Sequence, residues 1–227
     1  QKNSLETFAT IKVSIVLRPN MEPQDRIIEK AHELFFRYGI KAVTMDDIAS
    51  HLGVSKKTIY QYYADKDALV NAIVMVETEQ DEEECARHRK ESENAIHEVF
   101  LALDMMQEMM STMNPGIIFE LKKYHPAAFK LFNDHKNKFL YKVVKENIEK
   151  GKKEELYRPD VDPDILAKFR IESFFVPFNP ELFPTAKYSL IDVQAILSEH
   201  FLYGIATAKG QKLIAKYKKQ REKTYKS

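Results

Sequence analysis

The stretch TMDDIASHLGVSKKTIYQYY, residues 44–63, decides how this chain is read. Thr44 is a good helix-capping residue, and Asp47 three positions later places a carboxylate where the positive end of a helix favours it. Ile48, Ala49 and Leu52 recur at helical spacing and form one apolar face. Gly53 permits the left-handed turn that ends such a helix, and Ser55 caps another only two residues on. That next helix should point Ile59 and one or both of Tyr62 and Tyr63 inward, with Val54 plugging the crevice between the two. Two short helices joined by Gly53-Val54-Ser55 read as a helix-turn-helix.

The same pattern continues outward. Upstream, Ile27, Ile28, Ala31, Leu34, Phe35 and Tyr38 make one stripe, and Gly39 should end that helix in a left-handed conformation. Downstream, Asp65 caps a fourth helix carrying Leu69, Ile73 and Val76. An acidic run, ETEQDEEE, follows, and Glu82, Glu83 and Glu84 within it suit a solvated face. Helical periodicity resumes through Ile96, Val99, Phe100, Leu103, Met106 and Met110. Asn114-Pro115-Gly116 and His125-Pro126 are breaks. A stripe through Phe129, Phe132, Phe139, Val143 and Ile148 should stop at Gly151. Asp162-Pro163 is a cap followed by proline in the first turn, opening a helix to about Phe175. Pro177, Pro180 and Pro184 mark a loop, residues 189–208 read as a long helix, and a basic tail closes the chain. The expectation is an all-α protein of nine or ten helices. Residues 21–75 form a helix-turn-helix domain and 76–227 a helical domain. Residues 1–20, with a strand-like alternation over 8–17, are either an upstream extension before Met21 or an arm.

Composition narrows the class. With 44% hydrophobic and 30% charged residues, the 227-residue chain can bury a globular core, and six glycines argue against a loop-rich β fold. A lone cysteine, Cys85, excludes an internal disulfide framework and a cysteine-rich zinc site, and it suits a reducing compartment. No apolar run reaches the roughly 18 residues of a membrane span. The histidines show no metal-binding spacing. Asp160, Asp162 and Asp164 resemble the start of a calcium loop, but Ile165 and Ile171 occupy the positions where such a loop needs Gly and Glu. No cofactor, metal or catalytic residue is indicated.

Over residues 26–73, RIIEKAHELFFRYGIKAVTMDDIASHLGVSKKTIYQYYADKDALVNAI, the chain resembles the N-terminal domain of the tetracycline-repressor (TetR) family of bacterial regulators. The apolar first helix ending at a glycine, the Thr-initiated second helix, the Gly-Val-Ser turn and the Thr-Ile-Tyr recognition helix are all present. So are the aromatic pair and the Lys-Asp-x-Leu start of the fourth helix. The resemblance implies a bacterial, cytoplasmic, homodimeric transcription regulator that binds a double-stranded, palindromic operator. A small-molecule effector then shifts the spacing of the two reading heads, most commonly to release a repressor. It also implies Tyr60 and Lys66 as phosphate clamps.

The residue chemistry suggests how DNA would be met. Ser55, Lys56, Lys57 and Thr58 place charge and hydroxyls at the start of the recognition helix. Lys57, Gln61 and Tyr62 are candidates for base edges, since Gln suits adenine and Lys guanine. Thr44, at a helix start, could add a backbone-amide contact to phosphate. Residues 22–66 carry seven acidic and seven basic residues, so local placement must supply the attraction.

In the second domain, the helices expected to meet a partner chain carry Ile165, Phe169, Ile171 and Phe174, and Ile191, Ala195, Leu202 and Ile205. Met105, Met106, Met109, Met110 and Met113 cluster, and adaptable methionines suit an apolar ligand. Met106, Met109 and Met110 with Phe119, Tyr124, Phe174 and Phe178 are the candidate pocket for a hydrophobic effector. Residues 209–226 read as a solvated terminal helix. The competing readings are an all-helical enzyme or a protein-interaction module without DNA binding. The enzyme reading lacks a nucleophile elbow, phosphate loop or dinucleotide fingerprint.

Overall fold

The computed structural model describes residues 22–225, so the alternation over 8–17 lies outside the described residues. The described chain is helical throughout, apart from one isolated antiparallel bridge between Tyr157 and Ala206. In order run α1 (Pro23–Tyr38), α2 (Met45–Leu52), α3 (Lys56–Tyr60), α4 (Lys66–Glu91), α5 (Ala95–Thr112) and α6 (Ile117–Tyr124). They are followed by α7 (Pro126–His135), α8 (Tyr141–Lys153), α9 (Pro163–Phe175), α10 (Leu190–Ile205) and α11 (Ala208–Tyr225). A π turn, Lys136–Leu140, joins α7 to α8 without a break. Counting that run as one helix gives ten.

The local stops fall where the residue chemistry places them. Thr44 and Asp47 form a reciprocal capping box on α2, and Gly53 closes it at φ 68°, ψ 29°. Ser55, Asp65, Asn94, Asp162 and Ser189 each accept a backbone N–H at the head of a helix. Gly39 ends α1 but not in the left-handed well, since its ψ is 151°. Its φ of 89° still favours glycine, and a Cβ there would sit 3.1 Å from the Glu120 carboxylate.

The helix opened by Asp65 runs unbroken through the acidic run for 26 residues, across the division drawn at 75/76. The acidic run extends it, because Glu is a good helix former. Three sequence expectations change. Gly151 is not a stop: α8 runs on to Lys153, and the glycine makes room for the Tyr157 ring, which a Cβ would meet at 2.1 Å. Val54 is exposed, and Met45, Ile48, Ala49 and Ile59 fill the space around the turn. The terminal basic segment is a packed helix. Ile214 and Tyr217 are buried, Tyr217 stacks on His97 at 4.9 Å, and the Tyr217 hydroxyl bridges Asn94 and Glu93.

One apolar core joins the first four helices to the body. It runs from Ile27, Phe35, Ile48 and Ile59 through Leu69 and Ile73 to Met110, Ile117 and Leu121. Three polar contacts reinforce it. The Asn114 amide donates to the Phe36 carbonyl at 2.6 Å, the Lys41 amide donates to Glu120 Oε2 at 2.9 Å, and His125 Nδ1 meets Asp67 Oδ1 at 2.6 Å. A second core gathers α5, α8, α10 and α11 around Ile96, Ile148, Tyr157 and Leu202.

Candidate nucleic-acid interface and ligand cavity

The outward face of α3 is what remains after its anchors are taken in. Ile59 is fully buried and Tyr63 nearly so, each burial contributing about 2 kcal/mol. Ser55 Oγ accepts the Thr58 N–H at 3.1 Å and lies 2.9 Å from the Thr58 hydroxyl, so both side chains shape the helix start. The amides of Gln61, Tyr62 and Tyr63 still bond back to the helix, which carries its geometry one turn past Tyr60. Lys57, Tyr60, Gln61 and Tyr62 are exposed on this rod. Of the aromatic pair only Tyr63 points inward. Cation, amide and phenol groups on one convex face are what a major groove requires.

Several expected contacts are already engaged within the protein. Lys56 Nζ pairs with Asp46 Oδ2 at 2.6 Å, tying α3 to α2 and raising the lysine's pKa. The Thr44 amide and hydroxyl both donate to Asp47 Oδ2, at 2.8 and 2.7 Å, and these bonds hold the Asp47 carboxyl below its ordinary value. The Thr44 amide is therefore not free for a phosphate. Lys66 is engaged as well. Its ammonium donates to the Ile40 and Val43 carbonyls, pinning the loop between α1 and α2, and burial lowers its pKa. Lys57, by contrast, has no protein partner among the described residues.

A cavity of about 200 Å³ lies where the body meets the first domain. Met106, Met109, Phe174 and Phe178 line it as expected, together with Met105 and Met113. Three expected residues do not. Met110 is buried in the core beside it, and Phe119 is 55% exposed, two positions off the α6 face formed by Ile117 and Leu121. Tyr124 ends α6 on the surface, against the ammonium groups of Lys41 and Lys123. The rest of the wall was missed by sequence reading: Phe35, Ile40, Val70 and Ile73 come from the first domain. Their apolar character signals core, and nothing local distinguishes a core wall from a cavity wall. Polar groups are few: Glu77, Thr78 and Asp81 from α4, and His135, whose Nε2 lies 2.8 Å from Asp81 Oδ2.

A second cavity of about 160 Å³ adjoins the first, sharing Asp81, Met105, Met106, Leu140, Phe174 and Phe175. Cys85 borders it, with its thiol pushed up to about 12 by burial, which favours the neutral thiol. Among the described residues no cluster of three metal-ligating side chains is present, and no helix is long and apolar enough to cross a membrane.

The outer face of α9 and α10 is apolar. Ile165 and Phe169 are 64% and 57% exposed, and Ile196, 66% exposed, sits with Ala195 and Tyr203 on α10. The expected stripes divide accordingly. Ile171, Leu202 and Ile205 are buried in the chain's own core, Phe174 lines the cavities, and Ile165, Phe169 and Ala195 face outward.

A model of bacterial regulatory proteins of the tetR family matches residues 27–73. The HTH-type transcriptional regulator YvaF of Bacillus subtilis (strain 168) is 33% identical over 159 residues, covering 69% of this chain and 81% of that protein. Among solved structures, the regulatory protein TetR from Rhodobacter sphaeroides superposes with a TM-score of 0.67 at 16% identity, over 80% of this chain and 97% of that one. A transcriptional regulator from Saccharomonospora viridis, solved in complex with choline, gives 0.64 at 20% identity, over 81% and 97%.

Proposed function

This chain belongs to the tetR family of bacterial regulatory proteins and is a helix-turn-helix transcriptional regulator; from that premise we propose that it is a homodimeric repressor released from its operator by a small apolar effector. The observation that carries the reading is a single helix serving both ends. The first turns of α4 brace the α1–α2 loop through Lys66, and its middle turns, from Val70 to Asp81, form the wall of the cavity. Occupancy of the cavity then bears on the helix that positions α3. The choline complex of a regulator with the same fold supports a small-molecule input, though not its identity.

The apolar face of Ile165, Phe169 and Ile196 is the surface on which two copies meet, each presenting the same patch. Pairing would hold two copies of α3 about 34–36 Å apart, one turn of DNA, on a palindromic operator in the bacterial cytoplasm. Tyr60 contacts phosphate, Lys57, Gln61 and Tyr62 approach base edges, and Lys66 acts as the brace behind them. No residue carries catalysis.

Titration against the DNA upstream of the protein's own gene tests this. The expected result is selective binding that weakens steeply with salt. Tyr60→Phe should weaken binding at every sequence, and Lys57→Ala and Gln61→Ala should each relax preference at one base pair. Equal affinity for random DNA at all salt concentrations would overturn the DNA-binding role.

A further inference from the structure

The wall of the second cavity includes a half-buried cation with no anion partner among the described residues. Arg170, on α9, contributes to its wall. Its Nη2 donates to Ser198 Oγ at 2.9 Å, while Nη1 is shut off from solvent and has no hydrogen-bond partner. The guanidinium lies between the Phe174 and Phe201 rings, 6.0 and 5.4 Å from their centroids. Burial draws its pKa down to about 10, so it stays charged at neutral pH.

The other charges on this wall are accounted for elsewhere. Glu98 pairs with Lys150 at 2.9 Å, and Asp81 meets His135. Neighbouring Gln194 leaves its Oε1 unpartnered and so supplies no anion. A buried, uncompensated guanidinium is costly, and a partner subunit cannot relieve it because Nη1 is already sealed within this chain. Arg170 is part of the cavity wall, so a molecule bound in the cavity lies beside its guanidinium.

We infer that the two adjoining cavities hold an anionic amphiphile, a carboxylate on an unbranched apolar chain, with its head paired to Arg170 and its tail among Met105, Met106 and Phe174. This rests on the reading of these cavities as the effector site and adds the charge of the effector. Guanidinium and carboxylate form a strong two-pronged pair where water is excluded. The two cavities share six lining residues, and their volumes together, about 360 Å³, reach the lower end of ordinary small-molecule sites, about 300–1,000 Å³. Methionine walls accommodate a chain without demanding one shape.

The test uses three probes of equal tail length on the full chain: decanoate, 1-decanol and decyltrimethylammonium, followed by calorimetric titration and thermal unfolding. Decanoate should bind at least tenfold more tightly than the other two. Arg170→Gln should abolish that preference while leaving decanol within about twofold, Arg170→Lys should retain part of it, and Met106→Trp should weaken decanoate and decanol alike. Decanol or the cation binding as tightly as decanoate in the unaltered protein would overturn the assigned charge and leave the effector-site reading standing. No binding by any probe would overturn both. The comparison of probes on the unaltered chain decides even if Arg170→Gln does not fold.

Discussion

The first domain and the helical body obey the same packing rules but are encoded at different ranges. In the first domain the helix starts are set within four residues: Thr44 with Asp47, Ser55 with Thr58, Asp65 with the Ala68 amide. In the body the decisions are made across the chain. Gly151 exists for Tyr157, Asn94 is held by Tyr217 at a separation of 123 residues, and the Met105 wall is completed by Phe35. A surface that reads DNA needs a fixed shape carrying exposed polar groups, which local capping can specify. A cavity needs surfaces from several helices to converge, which no local sequence can specify.

If this contrast is right, damage to a long-range contact should exceed damage to a local one. Gly151→Val forces a side chain into the buried Tyr157 ring and should cost about 3 kcal/mol or more, read from the midpoint of urea unfolding. Thr44→Ala removes one half of the capping box and should cost about 1 kcal/mol by the same measurement. A Gly151→Val loss no larger than that of Thr44→Ala would erase the distinction.

The smallest expected effect sharpens the comparison through pH. Burial holds the His88 imidazole below its ordinary value of 6.5, against the weaker pull of Glu84 at 3.6 Å. The unfolded chain therefore takes up a proton near pH 6.5 while the folded body does not, and stability falls as pH drops through that value toward the folded pKa. His88→Gln should flatten this part of the Tm–pH profile. An unchanged profile would show that another group is responsible.

These differences explain how much could be read from the sequence. The helix-turn-helix was legible because cap, glycine and apolar spacing agree within twenty residues, and the outward set of Lys57, Tyr60, Gln61 and Tyr62 followed from placing Ile59 inside. Lys56, Thr44 and Lys66 are each engaged within the protein. Asp46 and the Ile40 and Val43 carbonyls are partners of Lys56 and Lys66 that spacing alone does not reveal, whereas the Thr44–Asp47 pair follows from its spacing. The methionine cluster was legible as an adaptable apolar surface. Phe119 and Tyr124 were drawn into it because composition does not show which face of α6 turns inward. Arg170 gave no signal at all, since an arginine among alternating polar and apolar residues looks like any exposed one, and only its orphaned Nη1 sets it apart.

The unbroken run of α4 has a mechanical consequence. Asp81, at the cavity, stands fifteen residues from Lys66, an arm of about 22 Å at 1.5 Å per residue. A tilt of about 5° over that arm sweeps its far end through about 2 Å. In a symmetric pair the two sweeps add to about 4 Å, an appreciable fraction of the 34 Å rise of one duplex turn. A stiff lever of this kind lets a modest displacement of side chains around a bound molecule set two grips out of step with the helical repeat they must match.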